Sequence, residues 1–170
     1  AANVTVQCVY QQADPALQDL LTLYMPADLR DHMTPHYRRL GSIAGDQLDT
    51  LARLADRHDP VLHYRDAQGR DEDWLEFHPA YREMEDIGFH QFGIHCMSRT
   101  PGVHGWKEKV PALAKYVFQY LFVQSEFGLM CPISATDTSA LLIERYGDAA
   151  TKNRFLPGMF QVGSSMGNLN

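Results

Sequence analysis

The sequence predicts an all-α domain of about six helices with one β-hairpin near residues 61–77. Apolar residues recur at helical spacing, as in Leu48, Leu51, Leu54 and Ala55, with Asp46, Asp49, Arg53, Asp56 and Arg57 opposite. Alternation replaces that period over 61–77. Helix punctuation is frequent, with Asp14-Pro15, His78-Pro79 and Gly147-Asp148 as the clearest instances.

Residues 3–10 alternate weakly and read as part of an extended arm, 1–13. Asp14 is then an N-cap with Pro15 at the first helical position. Leu17, Leu20, Leu21 and Tyr24 follow at helical spacing, and Pro26 stops that helix. Helical patterns resume over 27–40 and 46–57. Val61–Arg65 reads as a strand and Asp66-Ala67-Gln68-Gly69 as its turn. Trp74-Leu75-Glu76-Phe77 reads as the return strand.

His78-Pro79 starts a helix with Tyr81, Met84 and Ile87 on one face, made irregular by Gly88 and Gly93. Residues 98–105 form a loop. The longest helix is expected over 109–127. Between Ala112 and Val123 its polar groups are Lys115, Gln119 and two tyrosine hydroxyls, so it reads as central and contacted from several sides. Gly128 is its expected C-cap. Cys131-Pro132 makes a short break before a helix over 134–146, ended by Gly147. Asp148 caps a last helix to about Phe155, stopped by Pro157-Gly158. The helical domain thus spans 14–157 and leaves a tail, 158–170.

The 170 residues fit one domain, large enough to bury a core without a disulfide or metal staple. A net charge of −6 disfavours nucleic acid or an anionic membrane as partner. The three cysteines, Cys8, Cys96 and Cys131, form no C-x-x-C pair. Free thiols and the lack of a secretory pattern at the start read as a cytoplasmic protein. The most apolar window, 111–130, holds Lys115, Gln119, Gln124, Ser125 and Glu126, too many polar groups for a membrane span.

No residue pattern encodes metal or nucleotide chemistry. His32 and His36 have the i, i+4 spacing of a metal pair, but Pro35 lies between them and no third ligand has suitable spacing. A solvated helix end is the preferred reading. His90 and His95 fall on different helical faces. Asp71, Glu72 and Asp73 read as a solvated loop. There is no G-x-S-x-G elbow, no G-x-G-x-x-G and no P-loop. Cys131 reads as a buried structural thiol.

One stretch is more specific. Residues 125–136, Ser-Glu-Phe-Gly-Leu-Met-Cys-Pro-Ile-Ser-Ala-Thr, precede a helix, then Tyr146-Gly147-Asp148 and Lys152-Asn153-Arg154-Phe155-Leu156-Pro157. This resembles the end of the N-terminal helical domain of acyl-CoA dehydrogenases. Asp14-Pro15-Ala16-Leu17-Gln18 looks like the larger AidB-like branch, which includes methylmercaptopropionyl-CoA dehydrogenases. So does Tyr64-Arg65-Asp66-Ala67-Gln68-Gly69-Arg70 leading to Glu76-Phe77-His78-Pro79-Ala80-Tyr81. The resemblance covers about residues 10–157.

The resemblance implies a parent protein that oxidises an acyl-CoA thioester at its α,β bond with FAD. It places the flavin site and the catalytic Glu in a middle β-domain and a C-terminal helical domain, which would be this chain's partners, within a homo-oligomer. The Met-Thr-Glu of the middle domain does not occur here, and the tail Gly163–Asn170 departs from the family pattern. The chain therefore reads as a fragment or truncated product, inactive alone, without catalytic, cofactor-binding or metal residues. Its expected share is one wall of the acyl pocket: Met130, Cys131, Ser134 and Thr138, along one side of the helix after Pro132. Leu141 and Leu142 would form core instead. Ser134 and Thr138 bonding back to helix carbonyls is the other reading of that side. The competing function is a stand-alone helical interaction module without catalysis. A helix-bundle metal protein, resting on scattered histidines, is the weakest alternative.

Overall fold

The structure, a computed structural model, describes residues 14–162. The expected arm and the end of the expected tail lie outside the described residues. Helix α1 is Pro15–Tyr24, and α2 is Ala27–Ile43 continued through a π-helical turn, Ala44–Leu48, into Asp49–Ala55. Strands β1 (Val61–Arg65) and β2 (Asp71–Glu76) follow. Helix α3 is Pro79–Glu85, prolonged by a second π-helical turn, Asp86–Gln91. Helices α4 (Ala112–Phe122), α5 (Met130–Tyr146) and α6 (Ala149–Met159) complete the chain. The all-α domain with one hairpin is borne out.

Local chemistry explains most boundaries. The Asp14 carboxylate accepts from the Leu17 N–H at 2.9 Å, with Pro15 first in α1. His78 Nδ1 accepts from the Ala80 N–H at 3.1 Å and opens α3. Asp148 accepts from the Thr151 N–H at 2.7 Å and opens α6. In the hairpin turn, Gly69 takes φ +81°, where a side chain would be strained.

Several boundaries differ from the sequence reading. The two helices expected over 27–40 and 46–57 are one continuous helix. The backbone stays helical through Ala44, whose N–H bonds to Leu40 and Gly41 carbonyls, and the π-helical turn absorbs the change of phase. The helix expected over 109–127 is shorter than α2 and α5. Val110 N–H bonds to the Met97 carbonyl, and Ser125 and Glu126 N–H groups fold back on the Phe122 carbonyl. Gly128 therefore lies in the connecting turn and caps nothing. Pro132 does not break a helix, because it sits in the first turn of α5, where an N–H has no intrahelical partner. Helix α6 runs past Pro157 to Met159, which is 1% exposed and anchored in the core. The acidic run begins β2 instead of a loop.

The core is built on α2 and α4. Met33, Tyr37, Leu40, Ala44 and Leu48 form one stripe of fully buried side chains along α2. Ala114, Val117, Phe118, Leu121 and Phe122 form the buried face of α4. Tyr37 stacks obliquely on Phe118 at 4.8 Å and donates its hydroxyl to the Ala114 carbonyl at 3.2 Å. Burial pushes the Tyr37 hydroxyl well above the ordinary tyrosine range. Helix α4 is not covered all round: Leu113, Tyr116 and Tyr120 remain exposed.

Candidate functional site

Helix α5 carries the sequence-predicted wall. Its buried stripe is Met130, Ile133, Thr136, Asp137 and Ala140. At about 100° per residue, Cys131, Ser134 and Thr138 fall beside that stripe. Cys131 and Thr138 are exposed and Ser134 is half-buried. Cys131 is thus not the buried thiol expected; that environment belongs to Cys96, whose thiol burial pushes up to about 12. Met130 belongs to the inward stripe and is separated from the other three. Leu141 and Leu142 are exposed, contrary to the core role expected, because the buried stripe reaches Ala140 and turns away from them. The back-bonding hydroxyl is that of Thr136, which donates to the Pro132 carbonyl at 2.8 Å.

What fixes the rotation of α5 is a buried charge network. Asp137 accepts from Lys115 of α4 through one oxygen and from Arg99 Nε through the other at 3.0 Å. Arg99 also reaches Glu144 at 3.6 Å. Buried charges are stable only when paired in this way. Sequence reasoning noted Lys115 as the one charge in an apolar helix and missed its partner.

A groove of about 440 Å³ opens between α1 and α4, which sequence reasoning also missed. Leu17, Leu20, Leu21, Leu113, Tyr116 and Val117 contribute its walls. At one end the Tyr120 hydroxyl donates to the Asp14 carboxylate at 2.6 Å. That bond, with the Leu17 N–H, lowers the Asp14 pKa. The groove is concave and apolar in the manner of a binding surface.

The histidines do not assemble a metal centre: among the described residues no group of three or more His, Cys, Asp or Glu side chains is placed to hold an ion. His32 and His36 are not at a solvated helix end. They sit half-buried within α2, packed against His104, whose carbonyl accepts from His32 Nε2 at 2.9 Å. His90 pairs with Asp86 at 3.0 Å, and His95 is buried and donates to the Gln161 carbonyl at 3.0 Å.

Nor do the described residues fit a flavin. The groove is apolar, and its one charged lining residue is Asp14, a carboxylate that repels a pyrophosphate. No helix among the described residues is long and apolar enough to cross a membrane.

The family described as the adaptive response protein AidB N-terminal domain matches residues 3–161. No curated protein matches the chain. Among solved structures, Bd2924 in its apo form superposes with a TM-score of 0.77 at 26% identity, over 89% of this chain and 29% of that one. Caenorhabditis elegans ACDH-11 in complex with C11-CoA superposes with a TM-score of 0.73 at 18% identity, over 90% of this chain and 26% of that one. The chain thus spans less than a third of either structure's length.

Proposed function

This chain belongs to the AidB N-terminal domain family, an acyl-CoA dehydrogenase-type helical domain, and we propose that it forms one wall of an acyl pocket in a flavin-dependent parent protein. That parent would oxidise an acyl-CoA thioester at its α,β bond. The supporting observation is the outward side of α5, where Cys131, Ser134 and Thr138 lie beside exposed Leu141 and Leu142. Small and weakly polar groups next to leucines suit contact with an alkyl chain better than contact with water. The neighbour solved with C11-CoA has this fold, which supports the acyl class.

In this reading the chain supplies shape and no reacting group. FAD, when bound in the parent, accepts the hydride, and a middle β-domain and a C-terminal helical domain hold it. The Asp137 network keeps α5 from rotating, so the same side always faces the substrate. The apolar α1–α4 groove is where those partner domains pack, and the parent is a homo-oligomer. The test is enlargement of the wall. Ser134→Phe in the full-length parent should reduce turnover of long acyl substrates far more than short ones, with folding retained. Equal loss at every chain length would overturn the pocket role and favour a helical interaction module.

A further inference from the structure

We propose that one face of the hairpin, centred on Leu62 and Leu75, is a contact surface for a second copy of this chain. The inference stands apart from the acyl-pocket reading. Every residue of β1 and β2 is exposed except His63, which is half-buried. Two strands alone are marginally stable in water, so an apolar hairpin standing clear of the helices calls for a cover.

The two faces differ. Leu62 and Leu75 are directly opposite, as are His63 and Trp74, and Val61 and Glu76. Successive residues of a strand point to opposite faces, so the His63, Trp74 and Glu76 side chains share one face and Leu62 and Leu75 take the other. The first face is complete in itself. His63 and Trp74 stack at 4.3 Å, His63 Nε2 meets Glu76 at 2.7 Å, and the Trp74 indole N–H donates to Glu72 at 3.0 Å. Leu62, Leu75 and Tyr64 on the second face are 47%, 48% and 63% exposed.

Charge selects the occupant. A two-fold contact sets each group against the same patch of its copy. On the first face that would oppose Glu72 and Glu76 to their own equivalents, and like charges across strands repel. The centre of the second face carries no charge, so it can meet itself without penalty. The contact is small, and a weak dimer in about the micromolar range is expected.

Sedimentation equilibrium of the full chain tests this. We expect a concentration-dependent monomer–dimer equilibrium. The double variant Leu62→Thr/Leu75→Thr keeps strand-forming residues and should weaken it at least about tenfold. Glu72→Gln, on the other face, and Leu20→Asp, in the α1–α4 groove, should leave it unchanged. A monomer at all concentrations up to several hundred micromolar would overturn the proposal. So would a dimer indifferent to the threonine pair, a dimer tightened by Glu72→Gln, or one dissolved by Leu20→Asp.

Discussion

Lys115 of α4 and Asp137 of α5 meet as an ion pair inside the helical body, their side chains 6% and 11% exposed. Removing one member leaves an unpaired charge in a place water barely reaches. Asp137→Asn should therefore cost about 3–5 kcal/mol in denaturant unfolding. The double variant Lys115→Met/Asp137→Leu should recover most of that, because no charge is then buried. A double variant as unstable as the single one would show that the pair is worth more than its desolvation.

Gly88 sets how closely the π-helical end of α3 approaches α5. A Cβ at this position would lie 2.7 Å from Ile133 Cδ1 and 3.5 Å from Phe122 Cε2. Both neighbours are fully buried, so neither moves freely. Gly88→Ala should destabilise by about 1–3 kcal/mol through overpacking. Ile133→Val removes the methyl in the way, and Gly88→Ala/Ile133→Val should be more stable than Gly88→Ala alone. Strict additivity of the two costs would refute the contact.

Acid should loosen the fold through two buried histidines. His95 and His104 are both held down to about 4, first of all by burial, which disfavours the imidazolium. His36 and Arg39 beside His104 oppose its protonation further. The folded state binds fewer protons than the unfolded chain wherever the pH lies below the unfolded value. Stability is thus intact above about pH 6.5 and falls as the pH drops toward about 4. His104→Asn removes one titrating group and tolerates the left-handed φ of +56° there. Its thermal midpoint should fall less steeply with pH than that of the parent sequence over this window. Parallel curves would exclude His104 as a source.

The isolated chain should remain colourless when purified with excess FAD. Its one large groove is apolar and ends in the Asp14 carboxylate, which opposes a diphosphate. The measurement is the visible spectrum after gel filtration, with thioester-dependent dye reduction alongside. Stoichiometric flavin would mean that the chain itself builds a flavin site.

Much of the local structure was written in short signals. Asp14-Pro15, His78-Pro79 and Asp148 each start a helix through a side chain within three residues, and the hairpin follows from a change of period and a glycine turn. Such effects act over a few residues and need no partner. The family resemblance was likewise legible, carried by residues 125–136 and the Phe77-His78-Pro79 step.

Helix ends without such a signal were decided by packing. Pro157 reads as a stop, yet α6 passes it because Met159 is anchored in the core. The outward set on α5 was half legible. Spacing alone grouped Met130 with Cys131, Ser134 and Thr138, and sent Leu141 and Leu142 inward. A helical repeat states which residues share a side, but which side faces the core depends on what the neighbouring helix offers. Here α4 offers Lys115, so α5 turns Asp137 toward it, and a buried ammonium ion outweighs two leucines in setting that rotation.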